Sequence, residues 1–331
     1  MNGATVRSPR AGRWFICALL VVLVGGVDGV WAGPAGSVGE FKLMTYNLMR
    51  FSYEDRDQDG QRDNFKPEEQ IAAVVSVIAH VNPDVLAVQE VGDADSFDIL
   101  RRRLSDAGLV YPHTDYFILP HATIGLGLLS RFPIVRRMHI TNETYTVGGE
   151  TLPVQRGFLV VDLQANPQYT FRLINAHLKS KRFHPAGQSE MRRNEARLLN
   201  KHVRRMLDRN RNLNLVVVGD LNDGVQSSTL REVIGSPPYL SDTRPADALG
   251  DVWTHFWEFQ ETYSRIDYIL VSAAMRPEWV AEKSYLPRVP GMLVGSDHRP
   301  VVAVFKAADQ MPDGPESDNN AADRRGSGRE Q

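Results

Sequence analysis

Four short apolar stretches of this sequence each stop abruptly at residues able to hold a metal ion or a phosphate. They are Met44-Thr45-Tyr46-Asn47, Val85-Leu86-Ala87-Val88-Gln89-Glu90, Leu173-Ile174-Asn175-Ala176-His177 and Val216-Val217-Val218-Gly219-Asp220-Leu221-Asn222. Two further segments, Arg265-Ile266-Asp267-Tyr268 and Ser296-Asp297-His298-Arg299-Pro300, set acids and a histidine at the entrances of later apolar runs. Strand ends in one core tend to share a rim, so the pattern predicts that these side chains meet. If Glu90, Asp220 and Asp297 stand about 5 Å apart, each like-charged pair repels by roughly 3 kcal/mol at an effective dielectric near 20. Either some of the acids then hold protons or a divalent cation sits among them. Oxygen ligands without a thiolate favour Mg2+, Mn2+ or Ca2+ over zinc. Two histidines beside such a cluster suit a proton donor and a charge stabiliser for phosphate chemistry. Singly these residues mean little, because a lone strand-end carboxylate is usually a solvated loop residue and a lone core histidine is usually satisfied in place. Their joint occurrence is what carries the reading.

The elements that must position these residues are legible as alternating strand-length and helix-length patterns. Residues 41–46 read as a strand, and Pro67 opens a helix whose Ile71, Val74, Val75 and Ile78 recur on one buried face. Asn82-Pro83 ends that helix, residues 84–88 form the next strand, and Asp95 can cap a helix carrying Phe97, Leu100 and Leu104 that stops at Gly108. From residue 118 to 162 successive β segments follow, punctuated by Phe132-Pro133 and Gly148-Gly149. Residues 169–177 alternate, and residues 188–208 repeat Met191, Leu198, Leu199, Val203, Met206 and Leu207 on a helical face. Residues 213–218, 266–271 and 301–305 complete the strands. So many strands exceed what one doubly wound sheet needs, which predicts a sheet-on-sheet core with helices outside.

Composition is that of an ordinary folded chain: 331 residues, 42% hydrophobic, 24% charged, with 38 Lys and Arg against 40 Asp and Glu and a single cysteine. It excludes a collagen, a coiled coil, a disulfide scaffold and a wholly disordered chain. Arg7, Arg10 and Arg13 precede an apolar run over residues 15–24, followed by Val30-Trp31-Ala32. The run falls short of the about 20 residues of a membrane span, so residues 1–32 are expected to be a cleaved export signal and the protein to be secreted or periplasmic. Cys17 leaves with that signal, which excludes disulfides, cysteine nucleophiles and thiolate metal sites from the mature chain. Residues 33–39 are expected to be a linker, residues 40–306 one domain, and the acidic, Pro- and Gly-containing residues 307–331 a disordered tail. The expected domain is almost neutral and creates no global field for nucleic acid. Residues 177–212 are locally basic, from Lys179, Lys181 and Arg182 to Arg209 and Arg211, and read either as a solvated helix face or as a surface for an anionic substrate.

Taken in order, Thr45-Tyr46-Asn47, Pro83-Asp84 through Gln89-Glu90-Val91, Leu128-Leu129-Ser130-Arg131-Phe132-Pro133-Ile134, Asn175-Ala176-His177-Leu178, Gly219-Asp220-Leu221-Asn222, Arg265-Ile266-Asp267-Tyr268 and Ser296-Asp297-His298-Arg299-Pro300 resemble the endonuclease/exonuclease/phosphatase superfamily over nearly all of residues 40–306. The resemblance implies an α/β fold, a four-layer sandwich of two packed, mainly antiparallel sheets flanked by helices. It implies Mg2+-assisted phosphoester hydrolysis at one edge, with Mn2+ or Ca2+ as other ions. Glu90 then resembles the main metal carboxylate, with Asn47 beside it on the metal or phosphate and Asp297 a second metal contact. Asp220 would orient or deprotonate the attacking water, and Asn222 would hold phosphoryl oxygens. His177 would hydrogen-bond the phosphate and protonate the leaving oxygen. His298 would stabilise the transition state or move a proton, with Asp267 fixing its tautomer. Arg156 is a candidate phosphate-binding arginine. Metal, asparagine and two imidazoles are also the parts that in-line attack of water on phosphorus requires.

Departures narrow the substrate. Val91-Gly92-Asp93 and Asp223-Gly224-Val225 stand where abasic-site endonucleases carry other residues, which leaves secreted nucleases, sphingomyelinase-like enzymes and phosphatases. The leading expectation is an exported phosphodiesterase acting on a nucleic acid, a phospholipid headgroup or a small phosphate ester, with no stable protein partner implied and the chain expected to be a monomer. The alternatives are a phosphomonoesterase on an inositol or sugar phosphate, which wants a closed pocket, and an inactive binding module of the same fold. The segment Trp253-Thr254-His255-Phe256-Trp257 would line a lipid-facing rim or pocket, or simply pack. Asp55, Asp57 and Asp59 with Gly60 match the first half of an EF-hand loop, but position 12 is Lys66 instead of glutamate. A structural Ca2+ or an ordinary acidic turn are the two readings there.

Overall fold

Period-two alternation builds the interior. Phe41 and Leu43, Val85 and Ala87, Leu126 and Leu128, Val216 and Val218, and Ile269 and Val271 all point into one buried cluster between two sheets. The intervening Met44, Leu86, Val88 and Leu129 join a second cluster on the outer face of one sheet. Val217, Ile174 and Leu270 join a third on the outer face of the other. The computed structural model describes Met1 and residues 39–236 and 238–310. The expected signal, the linker up to residue 38 and residues 311–331 of the expected tail lie outside the described residues.

Both large sheets have six strands. The first runs, in spatial order, Trp279–Tyr285, Val301–Lys306, Glu40–Phe51, Val85–Val91, Gly125–Ser130 and His113–Phe117. The second runs Leu240–Asp242, Asp267–Ser272, Leu215–Asp220, Tyr169–His177, Phe158–Asn166 and Ile134–Arg137. Each sheet has one parallel pair at its centre and antiparallel pairs elsewhere. Parallel neighbours require a crossover, and a helix supplies it in both cases: Glu68–Val81 in the first sheet and Gln188–Arg209 in the second. The expected four-layer sandwich, mainly antiparallel and flanked by helices, is the fold observed.

The helices cover the outer faces. Glu68–Val81 buries Ile71, Val74, Val77, Ile78 and Val81, so Val77 takes the inward place expected of Val75. Gln188–Arg209 buries Met191, Leu199, Val203 and Leu207, while Leu198 and Met206 stay partly covered. One cap differs from expectation. Asp93, extended at φ −77°, accepts Ser96 N at 2.9 Å and starts the helix Ala94–Asp106, whereas Asp95 sits inside its first turn. Strands at His113–Phe117 and Trp279–Tyr285 were not expected, because sheet-edge strands bury little and carry a weak apolar signal. At the far end, Ala307 O accepts Asn166 Nδ2 at 2.6 Å and Asp309 accepts Asn214 Nδ2 at 2.7 Å, so residues 307–310 continue the domain.

Candidate active site

The alternation that fills the core turns polar at one end of the sandwich. Past Leu43 the inward positions are Thr45 and Asn47; past Ala87 comes Gln89; past Leu173 come Asn175 and His177; past Val218 comes Asp220. In the antiparallel partner strand the same position before Ile269 is Asp267. Register aligns them, with Asp220 opposite both His177 and Asp267, and Asn47 opposite Gln89. A buried clamp sits beneath. Gln89 Nε2 donates to Thr45 Oγ1 at 3.0 Å and across the sheets to Asn175 Oδ1 at 2.7 Å. Asn175 Nδ2 returns the link to Val88 O and Gly127 O at 3.0 and 3.1 Å. Gln89 and Asn175 had no role assigned from sequence, although the period-two spacing of polar inward residues was a usable signal.

Glu90 reaches the site through a break in the ladder. The register shifts between Gln89 and Val91, and Glu90 itself adopts φ +63°. Its Oε1 takes Asn47 Nδ2 at 3.2 Å and its Oε2 takes Arg50 N at 2.9 Å. Asn47 Nδ2 also donates to Asp220 Oδ2 at 3.1 Å, while its Oδ1 accepts Met49 N at 3.0 Å. Asn47 therefore bridges two carboxylates as a donor, and coordinating an ion would require its amide to turn. Buried Lys66 donates to Met49 O at 2.7 Å, which holds the Met49-Arg50 turn against Glu90. That inward role explains a lysine at position 12 of the acidic loop. Asp55, Asp57 and Asp59 do converge, on the exposed outer side of the same loop.

Asp220 lies at the centre. Its Oδ2 is 3.4 Å from His177 Nε2 and 3.8 Å from His298 Nε2, and Asn222 N donates to its Oδ1 at 2.8 Å. Asn222, at φ +56°, also sends Nδ2 to Asp220 Oδ2 at 3.1 Å and to Leu178 O at 3.0 Å, so it fixes the carboxylate here. Burial first, then the charges of Asp267 and Glu90, push the Asp220 carboxyl up to about 7 against the opposing effects of His298 and the Asn222 amide. Asp267 Oδ2 is 2.9 Å from His298 Nδ1. Burial alone would lower His298, but Asp267, Asp220 and Asp297 raise it to about 10. His177 goes the other way: burial, then Arg156, His298 and Lys179, hold it well below the usual imidazole range. Neither of its ring nitrogens has a hydrogen-bond partner among the described residues.

Asp297 faces the site from the opposite wall, with His255 Nε2 at 3.6 Å from Oδ2. Ser296 Oγ donates to Asn47 O at 2.7 Å and accepts His298 N at 3.1 Å, which ties that wall to the first sheet. The sequence does not single out His255, which stands in a segment expected to line a lipid-facing rim or pocket, or simply to pack. Arg156 donates to Leu178 O at 3.2 Å and lines the cleft. Its loop is held by Glu195, fully buried on the Gln188–Arg209 helix, which accepts Gln155 N at 2.9 Å and Lys179 N at 2.7 Å. Nothing in the sequence pattern marked Glu195 off from the helix's other charges.

All nine expected site residues thus gather at one end of the sandwich, around a cleft of about 1280 Å³. Its oxygen donors suit a hard divalent ion: Glu90, Asp220, Asp267 and Asp297 supply excess negative charge, seen in the raised Asp220 carboxyl. Part of the basic stretch is spent internally. Arg192 pairs with Asp223, Arg193 and Arg197 with Glu232, and Lys201 with Glu143, while Lys181 and Arg182 reach the cleft. Phe183, Trp257 and Phe259 line its mouth and are 79%, 47% and 92% exposed.

The fold has many relatives of known structure. The human Nocturnin catalytic domain with bound sulfate superposes with a TM-score of 0.59 at 20% identity, covering 80% of this chain and 94% of that one. Truncated TDP2 from Caenorhabditis elegans gives 0.56 at 20% identity, covering 81% and 98%. Sphingomyelinase C from Streptomyces griseocarneus gives 0.55 at 17% identity, covering 80% and 99%. No curated protein matches the chain by sequence. Residues 44–298 match the profile of the Endonuclease/Exonuclease/phosphatase family, which spans most of the chain and all of the site just described, and the protein belongs to that family.

Proposed function

We propose that this protein is an exported, divalent-metal-dependent phosphodiesterase that works by direct attack of water on phosphorus. The observation that carries the reading is Asp220, buried between His177 and His298 and made basic enough to accept a proton near neutral pH. Asp220 would take the proton of the attacking water. His298, with Nδ1 on Asp267, would present a protonated Nε2 to the phosphoryl oxygens and stabilise their developing charge. His177 is neutral at neutral pH, so it would contribute a hydrogen bond to the phosphoryl group, satisfying a ring nitrogen otherwise orphaned, and is a poor source of the leaving-group proton. Arg156 would bind a phosphoryl oxygen from the cleft side. Glu90 and Asp297 would hold the ion, which when bound supplies electrostatic stabilisation of phosphoryl charge.

The cleft is open and rimmed by exposed aromatic side chains, which favours a diester with an apolar portion, such as a phospholipid headgroup, over a small monoester. Arg192, Arg193 and Arg197 of the covering helix are paired with acids, which lowers the free positive charge that a long nucleic acid would meet there. A neighbouring fold being a sphingomyelinase C is consistent with this choice. The test is Mg2+-dependent release of p-nitrophenol from the bis-ester and the mono-ester, followed by choline-phospholipid vesicles and single-stranded DNA. Bis-ester turnover that stops with EDTA and returns with Mg2+ is expected. Turnover of the mono-ester alone would replace the diesterase reading with a monoesterase, DNA cleavage without vesicle hydrolysis would replace the lipid substrate, and no turnover at all would leave a binding module. For export, the mass of the protein recovered outside an expressing cell should correspond to a chain starting at Gly33.

A further inference from the structure

His255 sits where the proposed chemistry does not need it. It pairs across an isolated β-bridge with His298, and Phe256 N donates to Asp297 O at 2.9 Å, so the short strand His255–Trp257 is fastened to the catalytic wall. Arg299, fully buried, anchors the same segment, with its guanidinium 4.3 Å from the Trp253 ring and its N donating to Thr254 O at 2.6 Å. The two imidazoles are held side by side, centroids 4.7 Å apart. Both have Nδ1 engaged: His298 with Asp267 Oδ2 at 2.9 Å, His255 with Ser264 Oγ at 3.3 Å. Both therefore direct Nε2 at Asp297, His255 at 3.6 Å from Oδ2 and His298 at 3.9 Å from Oδ1.

We propose that His255, Asp297 and His298 form a transition-metal site that draws Asp297 away from the hard-ion position at Glu90 and whose occupation switches the enzyme off. The three ligand atoms lie within 4.8 Å of one another. Metal–nitrogen bonds of about 2.0–2.1 Å hold tetrahedral ligands about 3.4 Å apart, so small side-chain rotations close the set. Two nitrogens and one oxygen select Zn2+, Co2+ or Cu2+ over Mg2+. A ligating histidine characteristically donates its other ring N–H to a carboxylate or another acceptor, which is the arrangement of both rings here. Asp297 lines the cleft with 38% of its side chain exposed, which leaves an entry path and an open coordination position. The ion would occupy His298 Nε2, the atom that the proposed reaction aims at the phosphoryl group. His298 could then no longer reach the phosphoryl group. Only this inhibitory consequence rests on the proposed function; the ligand set does not.

The test is a Co2+ titration of the full chain in millimolar Mg2+, against which the nitrogen-containing set must compete for Asp297. One Co2+ per chain with visible d–d absorbance is expected, displaced by Zn2+, and weakened in His255→Asn by more than the about 10–100-fold that losing a ligand's outer partner costs. Ser264→Ala keeps all three ligands and is expected to weaken Co2+ by a smaller factor, which guards against a His255 variant that fails to fold. In the bis-ester assay Zn2+ should inhibit the wild type at more than about 100-fold lower concentration than His255→Asn. Absence of Co2+ absorbance, or equal affinity in wild type and His255→Asn, would overturn the site. Zn2+ binding without inhibition would overturn the switch. If the protein hydrolyses no phosphoester, the absorbance titration still decides the site by itself.

Discussion

Asp220 owes its basicity to crowding, and the same crowding makes its behaviour testable. A carboxylate buried beside Asp267 and Glu90 keeps its proton up to about 7, and a base acts only after losing it. The rate should therefore rise with pH through that value, and a divalent ion held at Glu90 should move this limb to lower pH by favouring the ionised form. In the proposed reaction His298 has to stay protonated to stabilise phosphoryl charge, and Asp267, Asp220 and Asp297 hold it so up to about 10, where the rate should fall. Asp220→Asn should cost about 10²–10⁴ in kcat and abolish the rising limb, read from kcat/KM against pH for both proteins. A variant that kept the limb at near-normal rate would remove Asp220 from the reaction. The residue types of this site were legible because few other functions put carboxylates, imidazoles and asparagines at successive strand ends. Their conformations were not. Glu90 and Asn222 hold left-handed backbones at φ +63° and +56°, which cost about 1–3 kcal/mol each and leave no mark in a string of letters.

At the scale of elements, the site depends on strands and a helix that hold its edges in register. Gly219, next to Asp220, adopts φ +126°, and a Cβ there would stand 2.0 Å from Ala176 O on the neighbouring strand. Gly219→Ala must push apart the Leu215–Asp220 and Tyr169–His177 strands that carry Asp220 and His177, so a loss of more than about 3 kcal/mol in urea unfolding is expected. Glu195 works from the covering helix. Its carboxylate accepts two backbone N–H groups from the segments bearing Arg156 and Lys179, and burial raises its pKa. Glu195→Gln puts an amide N–H against one of those donors and should cost about 1–3 kcal/mol in stability. Because Arg156 would bind the diester before and during reaction, its displacement should raise KM more than it lowers kcat; a pure loss of folded protein would change neither constant per active molecule. The central strands and long helices were legible from their apolar periods. The short hairpin of His255–Trp257 with Thr262–Ser264 was not, since three-residue strands set no period and the chemistry of His255 comes from what it is packed beside.

Across the whole molecule the two ends of the sandwich have different tasks. His177 closes the strand that Tyr169 opens eight residues earlier, so about 26 Å separate the end that carries the candidate site from the other. At that other end Glu278 is 1% exposed, with Tyr169 OH donating to one carboxylate oxygen at 3.3 Å and Gln310 N to the other at 3.2 Å. Burial first, then the nearby Asp309, raises its carboxyl from 4.5 to about 7 against those two hydrogen bonds. A raised acid binds its proton more tightly folded than unfolded. Its contribution to stability is therefore complete below about 4.5 and lost as pH rises through about 7, by up to on the order of 3 kcal/mol. Glu278→Gln cannot ionise and should escape that loss. Urea unfolding at pH 5 and pH 8 is expected to show the wild type falling relative to the variant at the higher pH, with bis-ester turnover in the variant unchanged because the active end is remote. A pH dependence shared equally by both proteins would mean that Glu278 ionises folded as it does unfolded, and that the end holding residues 307–310 is wetter than its packing shows.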